Sequence, residues 1–197
     1  MLQYLVFLSA GIFLVAPYTY VKTMLRGNVK PNRVSWLMWS IAPMISFAAA
    51  ISNGAGLAAV PVFMAGFCSF LVFVASFAVK GAQWKLFKLD YACGLLSGLA
   101  IVLWVVTSDP SSAIGFAILS DALASVPTLI KGWKHPETES AWPYLLGAFG
   151  GLTSFLAITA WTFSQYAFPA YLVMVSCLLA LSICRKRIFT YFGRIGS

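Results

Sequence analysis

Charge is what this sequence has least of. Asp, Glu, Lys and Arg make up 9% of its 197 residues, hydrophobic residues make up 61%, and the mean hydropathy is +0.89. Soluble domains carry roughly 25% charged residues, so a water-soluble globule is excluded. Acids are scarcer than bases: Asp90, Asp109, Asp121, Glu137 and Glu139 stand against 13 Lys and Arg. The single histidine, His135, lies in a basic turn with no cysteine or acid at ligand spacing, which argues against a metal site. The four cysteines, Cys68, Cys93, Cys177 and Cys184, show no metal-type spacing, and the first three sit in apolar runs, where a thiol behaves as a small hydrophobe. Neither a disulfide nor zinc is expected. With no paired acids, no Ser/His or Cys/His arrangement and no metal motif, nothing supports an enzyme or a cofactor. No Asn-x-Ser/Thr sequon occurs, which points away from a glycosylated eukaryotic protein and toward a prokaryotic inner membrane. No cation precedes the first apolar run, which argues against a secretory signal peptide.

What the chain has is long apolar runs, each near the ~20 residues that cross a ~30 Å hydrocarbon core. Seven can be marked: 2–24, 34–52, 57–79, 91–107, 112–130, 141–163 and 168–183. The ~10-residue alternation of barrel strands is absent, so the expected fold is an all-α membrane protein of seven transmembrane helices. Every Lys and Arg falls at the first, third or fifth joint or after the last helix: Lys22, Arg26, Lys30 and Arg33; Lys80, Lys85 and Lys88; Lys131 and Lys134; then Arg185, Lys186, Arg187 and Arg194. Cations in short loops mark the cytoplasmic face. The expected topology therefore puts the N-terminus outside and the C-terminus in the cytoplasm. The net charge of +8 is then accounted for by the lipid bilayer, with the basic, aromatic tail lying on anionic lipid. No nucleic-acid partner is needed.

The first and fifth runs end alike. VAPYTYVK, Val15 to Lys22, matches SVPTLIK, Ser125 to Lys131; a second proline then opens a polar turn, KPNRVSW in one case and HPETESAW in the other. Such a repeat divides the chain into a three-helix bundle (1–80), a linker helix (81–110), a second three-helix bundle (111–184) and a basic tail (185–197). Internal repeats are a common construction of secondary transporters, with the solute site between them. A 3+1+3 chain with a helix-exit proline and a basic, Ser- and Trp-containing turn resembles the SWEET and PQ-loop transporter superfamily. Pro17-Tyr18 and Pro127-Thr128 stand where that family has Pro-Gln, and the pocket asparagines of the sugar carriers have no counterpart. The resemblance implies alternating access, with helix prolines as hinges: Pro17 and Pro127, and Pro43 and Pro143 as the other pair.

Asp121 is the one acid inside a membrane-length run, and a charge at that depth is a functional-site hypothesis by default. Ser125 and Thr128 follow at i+4 and i+7 on the same stripe. The functional reading is a substrate or proton site. The plain alternative is an interhelical hydrogen bond worth about 0.6 kcal/mol. Pro17 and Pro127 free the carbonyls of Phe13 and Leu123, either as hinges or as static kinks. Trp36, Trp39, Trp142 and Tyr144 fit an interfacial belt, with Trp36, Trp39 and Tyr144 as a candidate inner gate. Pro61 and Pro169 read as first-turn prolines, and Glu137 and Glu139 as caps of the sixth helix or as partners of Lys30 or Arg33 in an inner latch. The expected activity is movement of a small polar solute by alternating access, with protons as candidate coupling ions. The alternative is a seven-helix receptor-like or accessory membrane protein without transport.

Overall fold

A computed structural model describes residues 4–79, 84–107 and 109–195, with side chains left undescribed at positions 5, 9, 104, 107, 110 and 186–195. Lys80, Lys186, Arg187 and Arg194, placed at the basic face from sequence, lie outside the described side chains. The helices are α1 (Leu5–Phe13), α2 (Val15–Leu25), α3 (Arg33–Ser52), α4 (Val60–Ala78), α5 (Lys88–Thr107), α6 (Pro110–Lys134), α7 (Trp142–Phe155) and α8 (Phe163–Ile195). Among the described residues there is no strand. Five stretches of the described residues are long and apolar enough to cross a membrane: Val6–Leu25, Arg33–Ser52, Gly56–Ala78, Ser111–Lys134 and Phe163–Arg185.

The first run was expected as one helix and is two. Pro17 has no N–H for the Phe13 carbonyl, and its ring crowds that oxygen. The ladder breaks at Leu14, whose N–H donates to Gly11 O at 3.3 Å, and the Cys68 thiol of α4 donates to the Phe13 carbonyl at 3.4 Å. The sixth run also departs from expectation. Its helix, α7, is only 14 residues long, about 21 Å at 1.5 Å per residue, and the connection begins at Leu156 rather than near Ser164. Gln165, which falls between the sixth and seventh apolar runs, is buried in the first turn of α8. Its Oε1 accepts from the N–H groups of Thr159 (3.0 Å) and Ala160 (3.2 Å), which holds the connection out of the helix. With α8 starting at Phe163 and running to Ile195, Pro169 lies inside it, not in a first turn.

Helix α4 packs between α1–α2 on one side and α3 on the other, and α8 packs against both α6 and α7. Across these groups α3 lies on α6 and α1 on α7, while α5 packs on α6 and α3. Small residues allow the close approaches. Gly150 of α7 is covered by the Phe13 ring, Gly94 of α5 by Val34, and Gly147 by Ser176. Gly98 of α5, by contrast, faces open space. The joints after α2, α4 and α6 meet at one end, where Lys30 N–H donates to Thr138 O and Trp84 N–H to Pro31 O, both at 3.0 Å. At the other end Val6, Ala58 and Ala157 form a small buried cluster.

Candidate functional site

A cavity of about 70 Å³ lies between these two ends. Its wall comes from six segments: Phe13 and Pro17 at the α1–α2 break; Trp36, Trp39 and Pro43 of α3; Cys68 and Val72 of α4; Asp121 and Ser125 of α6; Pro143, Tyr144 and Gly147 of α7; Leu172, Val175 and Ser176 of α8. Most of these are apolar or aromatic, as ligand pockets generally are, with a few polar groups to orient the guest.

Asp121 is 4% exposed. Its Oδ2 accepts from the Tyr171 hydroxyl of α8 at 2.7 Å; among the described residues no donor reaches Oδ1. One turn on, Ser125 Oγ donates to the Asp121 backbone oxygen at 2.8 Å and accepts from the Trp39 indole N–H at 3.0 Å. This chain fixes the Trp39 ring beside the acid. Thr128, expected on the same site, lies off the cavity wall: its hydroxyl donates to Ser35 Oγ at 3.0 Å, and Ser35 donates to Ala124 O at 2.7 Å. That seam joins α3 to α6. A residue seven positions along a helix is rotated about 20° from the first and raised by two turns, enough to leave a small cavity.

The prolines differ among themselves. Pro43 and Pro127 sit inside α3 and α6, where each removes a ladder bond. Pro143 occupies the first turn of α7, where no bond is lost. Pro17, Pro43 and Pro143 line the cavity; Pro127 does not.

Trp36 and Trp39 are buried, at 4% and 7% exposure, and so do not form an interfacial belt; Trp142, at 63%, is exposed enough to do so. Tyr20, Trp36, Trp39 and Tyr144 instead form an aromatic chain, with successive ring centroids 4.9, 5.3 and 5.9 Å apart. Trp36, Trp39 and Tyr144 belong to the cavity wall, and Tyr20 leads away to the basic end. There Tyr20 OH donates to Glu139 Oε2 at 3.0 Å, and Lys131 Nζ meets Glu139 Oε1 at 2.6 Å. Lys131 also donates to the Lys30 carbonyl and lies over the Trp84 ring.

Glu139 is thus the centre of a buried polar cluster rather than a cap; the α7 N-cap is Ala141, without a side-chain bond. Its partners are also not the expected ones. Arg33 turns to Ser76, donating to its carbonyl at 2.7 Å and its hydroxyl at 3.1 Å, and Lys30 contributes only backbone. Glu137 stays exposed beside His135, 3.6 Å away.

Tyr171, Tyr20 and the Asn32–Asp90 pair were not singled out from sequence. Asn32 caps α3 through Oδ1 and donates to Asp90 Oδ1 at 2.5 Å. The available signal was position: Asn32 lies two residues before one apolar run, and Asp90 directly precedes another. No protein-family model, curated protein or solved structure matches the chain.

Proposed function

We propose that this chain is a small-solute membrane carrier of SWEET and PQ-loop type, with seven spans arranged as two three-helix bundles joined by α5. The packing pattern supports this reading. In each proposed bundle the third helix lies between the other two, α4 in the first and α8 in the second, and the crossing contacts α1 on α7 and α3 on α6 are exchanged by the same repeat. The α7 helix, shorter than the hydrocarbon core, completes its span through the Leu156–Thr162 connection.

The observation that carries the proposal is Asp121: a carboxylate hidden from water at a cavity whose wall is shared by both bundles. Alternating access then consists of rocking the bundles about that cavity. The breaks at Pro17, Pro43 and Pro127 supply bendable points, and the aromatic chain with the Tyr20–Glu139–Lys131 cluster acts as the inner gate.

Protons are the proposed coupling ion because, among the described residues, Asp121 is the only acid on the cavity wall. Tyr171 touches it, and Cys68 and Tyr144 share its cavity. The other charged side chains nearby are engaged elsewhere or exposed: Arg33 on Ser76, Asp90 on Asn32, Lys131 on Glu139, Arg185 on the Trp133 carbonyl, and Lys88 at the surface.

The test is a thermal-shift screen of sugars, amino acids, vitamins and amines, followed by proteoliposome flux of any hit. Flux that is abolished in a folded Asp121→Asn variant supports the carrier. Binding without flux favours the receptor-like reading, and undiminished flux in Asp121→Asn removes the acid from the mechanism.

A further inference from the structure

We propose that the cavity at Asp121 binds a small organic ammonium ion. The inference names the solute class of the carrier reading and rests on that reading only for translocation, not for binding. Three features of the wall point to a cation. Among the described residues Asp121 is its only acid and no Lys, Arg or His lines it, so an ionised carboxylate there meets no counter-charge on the wall. Tyr171 occupies Oδ2 and leaves Oδ1 without a protein donor among the described residues, so one oxygen is held and the other is open to a guest N–H. The same wall carries Trp36, Trp39, Tyr144 and Phe13, and aromatic faces attract cations, most strongly where water is excluded.

Tyr144 belongs to the same wall, and its buried hydroxyl has no hydrogen-bond partner among the described residues. The Trp39–Ser125–Asp121 chain of bonds keeps the indole in place without using the carboxylate. An anion is repelled by Asp121. A sugar needs several fixed polar partners, and this mostly apolar wall offers few. The cavity, about 70 Å³, has room for a guest of a few heavy atoms.

The experiment uses the full chain in lipid nanodiscs and isothermal titration with propylammonium, its uncharged analogue 1-propanol, and propionate. Propylammonium is expected to bind at least about tenfold more tightly than either analogue, the scale of one charge-assisted hydrogen bond. Asp121→Asn is expected to lose that preference with circular dichroism unchanged. Equal binding of propylammonium and 1-propanol by the unaltered chain overturns the proposal, whether or not Asp121→Asn folds, and so does retained preference in that variant. Proteoliposome exchange of labelled propylammonium separates the two readings. Charge-selective binding without exchange sinks the carrier but not the ammonium site. Flux of another solute class that propylammonium does not inhibit sinks the ammonium site but not the carrier.

Discussion

Tyr20 and Glu139, 119 residues apart, are joined by a buried hydrogen bond of 3.0 Å from the phenol to the carboxylate. Tyr20 lies on α2, beyond the Pro17 break, and Glu139 lies in the turn between α6 and α7. The bond therefore ties the start of the chain to its second half at the basic end. Lys131 neutralises the same carboxylate from α6. Removing either charged partner leaves the other buried and unpaired, which costs about 3–5 kcal/mol. The phenol is the milder place to cut.

Tyr20→Phe is expected to loosen the basic end without unfolding the chain. A hydrogen bond to a charged acceptor is worth about 1.5–3 kcal/mol, so the opened form gains roughly tenfold or more in population. Cys68 on the cavity wall reports the change. With the other three cysteines replaced by serine, a membrane-impermeant maleimide applied from the basic side should label Cys68 about tenfold faster in Tyr20→Phe. Unchanged labelling would show that the bond does not hold this end shut.

Gly150 sets how closely α1 and α7 approach. A Cβ there would overlap the Phe13 ring, whereas one at Gly98 would meet nothing. Gly150→Ala is expected to destabilise by about 1–3 kcal/mol through overpacking, while Gly98→Ala stabilises by up to about 1 kcal/mol through helix propensity. Unfolding in mixed micelles measures both. Phe13→Leu should restore part of the loss in the Gly150→Ala background, and additive effects of the two changes would refute the contact.

Much of this was legible in the residues. A chain so poor in charge, built of long apolar runs without the alternation of barrel strands, points to helices that satisfy their own backbone. The burial of Asp121 follows from its place inside an apolar run. Its partner does not: Tyr171 lies in another run, and helix periodicity does not say which faces meet. Lys131 reads as a loop cation because it ends an apolar run near His135, yet it is 2% exposed, since only the folded turn brings Glu139 and the Lys30 carbonyl to it. The bond lost at Pro17 was legible; the Cys68 thiol that takes up the freed carbonyl was not. The early end of α7 depends on Gln165, whose side chain acts several residues back along the chain.

Asp109 gives a pH dependence at the start of α6. Its side chain accepts from the Ser112 N–H at 2.7 Å, and that backbone bond, with further donation from Ser112, holds the exposed carboxyl below its ordinary value of 3.8. A lowered value in the folded chain means that the charged cap stabilises above the ordinary value and that the benefit is lost as the pH falls through the folded one. Asparagine keeps an acceptor but has no charge to lose. The stability difference between the native chain and Asp109→Asn should therefore hold constant above about pH 5 and shrink toward zero in stronger acid. A difference independent of pH would mean that the charge contributes nothing.

Pro17→Ala tests the α1–α2 break directly. Alanine supplies the N–H that the Phe13 carbonyl lacks, so the ladder closes across Leu14 and the first helix gains up to about 3 kcal/mol of local stability. The Cys68 thiol, which donates to that carbonyl at 3.4 Å, then loses or shares its acceptor. In a chain whose other cysteines are serine, the infrared S–H stretch of Cys68 should move to higher frequency in Pro17→Ala. It should stay in place in Pro127→Ala, where the proline is off the cavity wall. A band that does not move in Pro17→Ala would mean that the break is held by packing and not by the missing N–H. In that case Pro17 would have no claim as a bending point between α1 and α2.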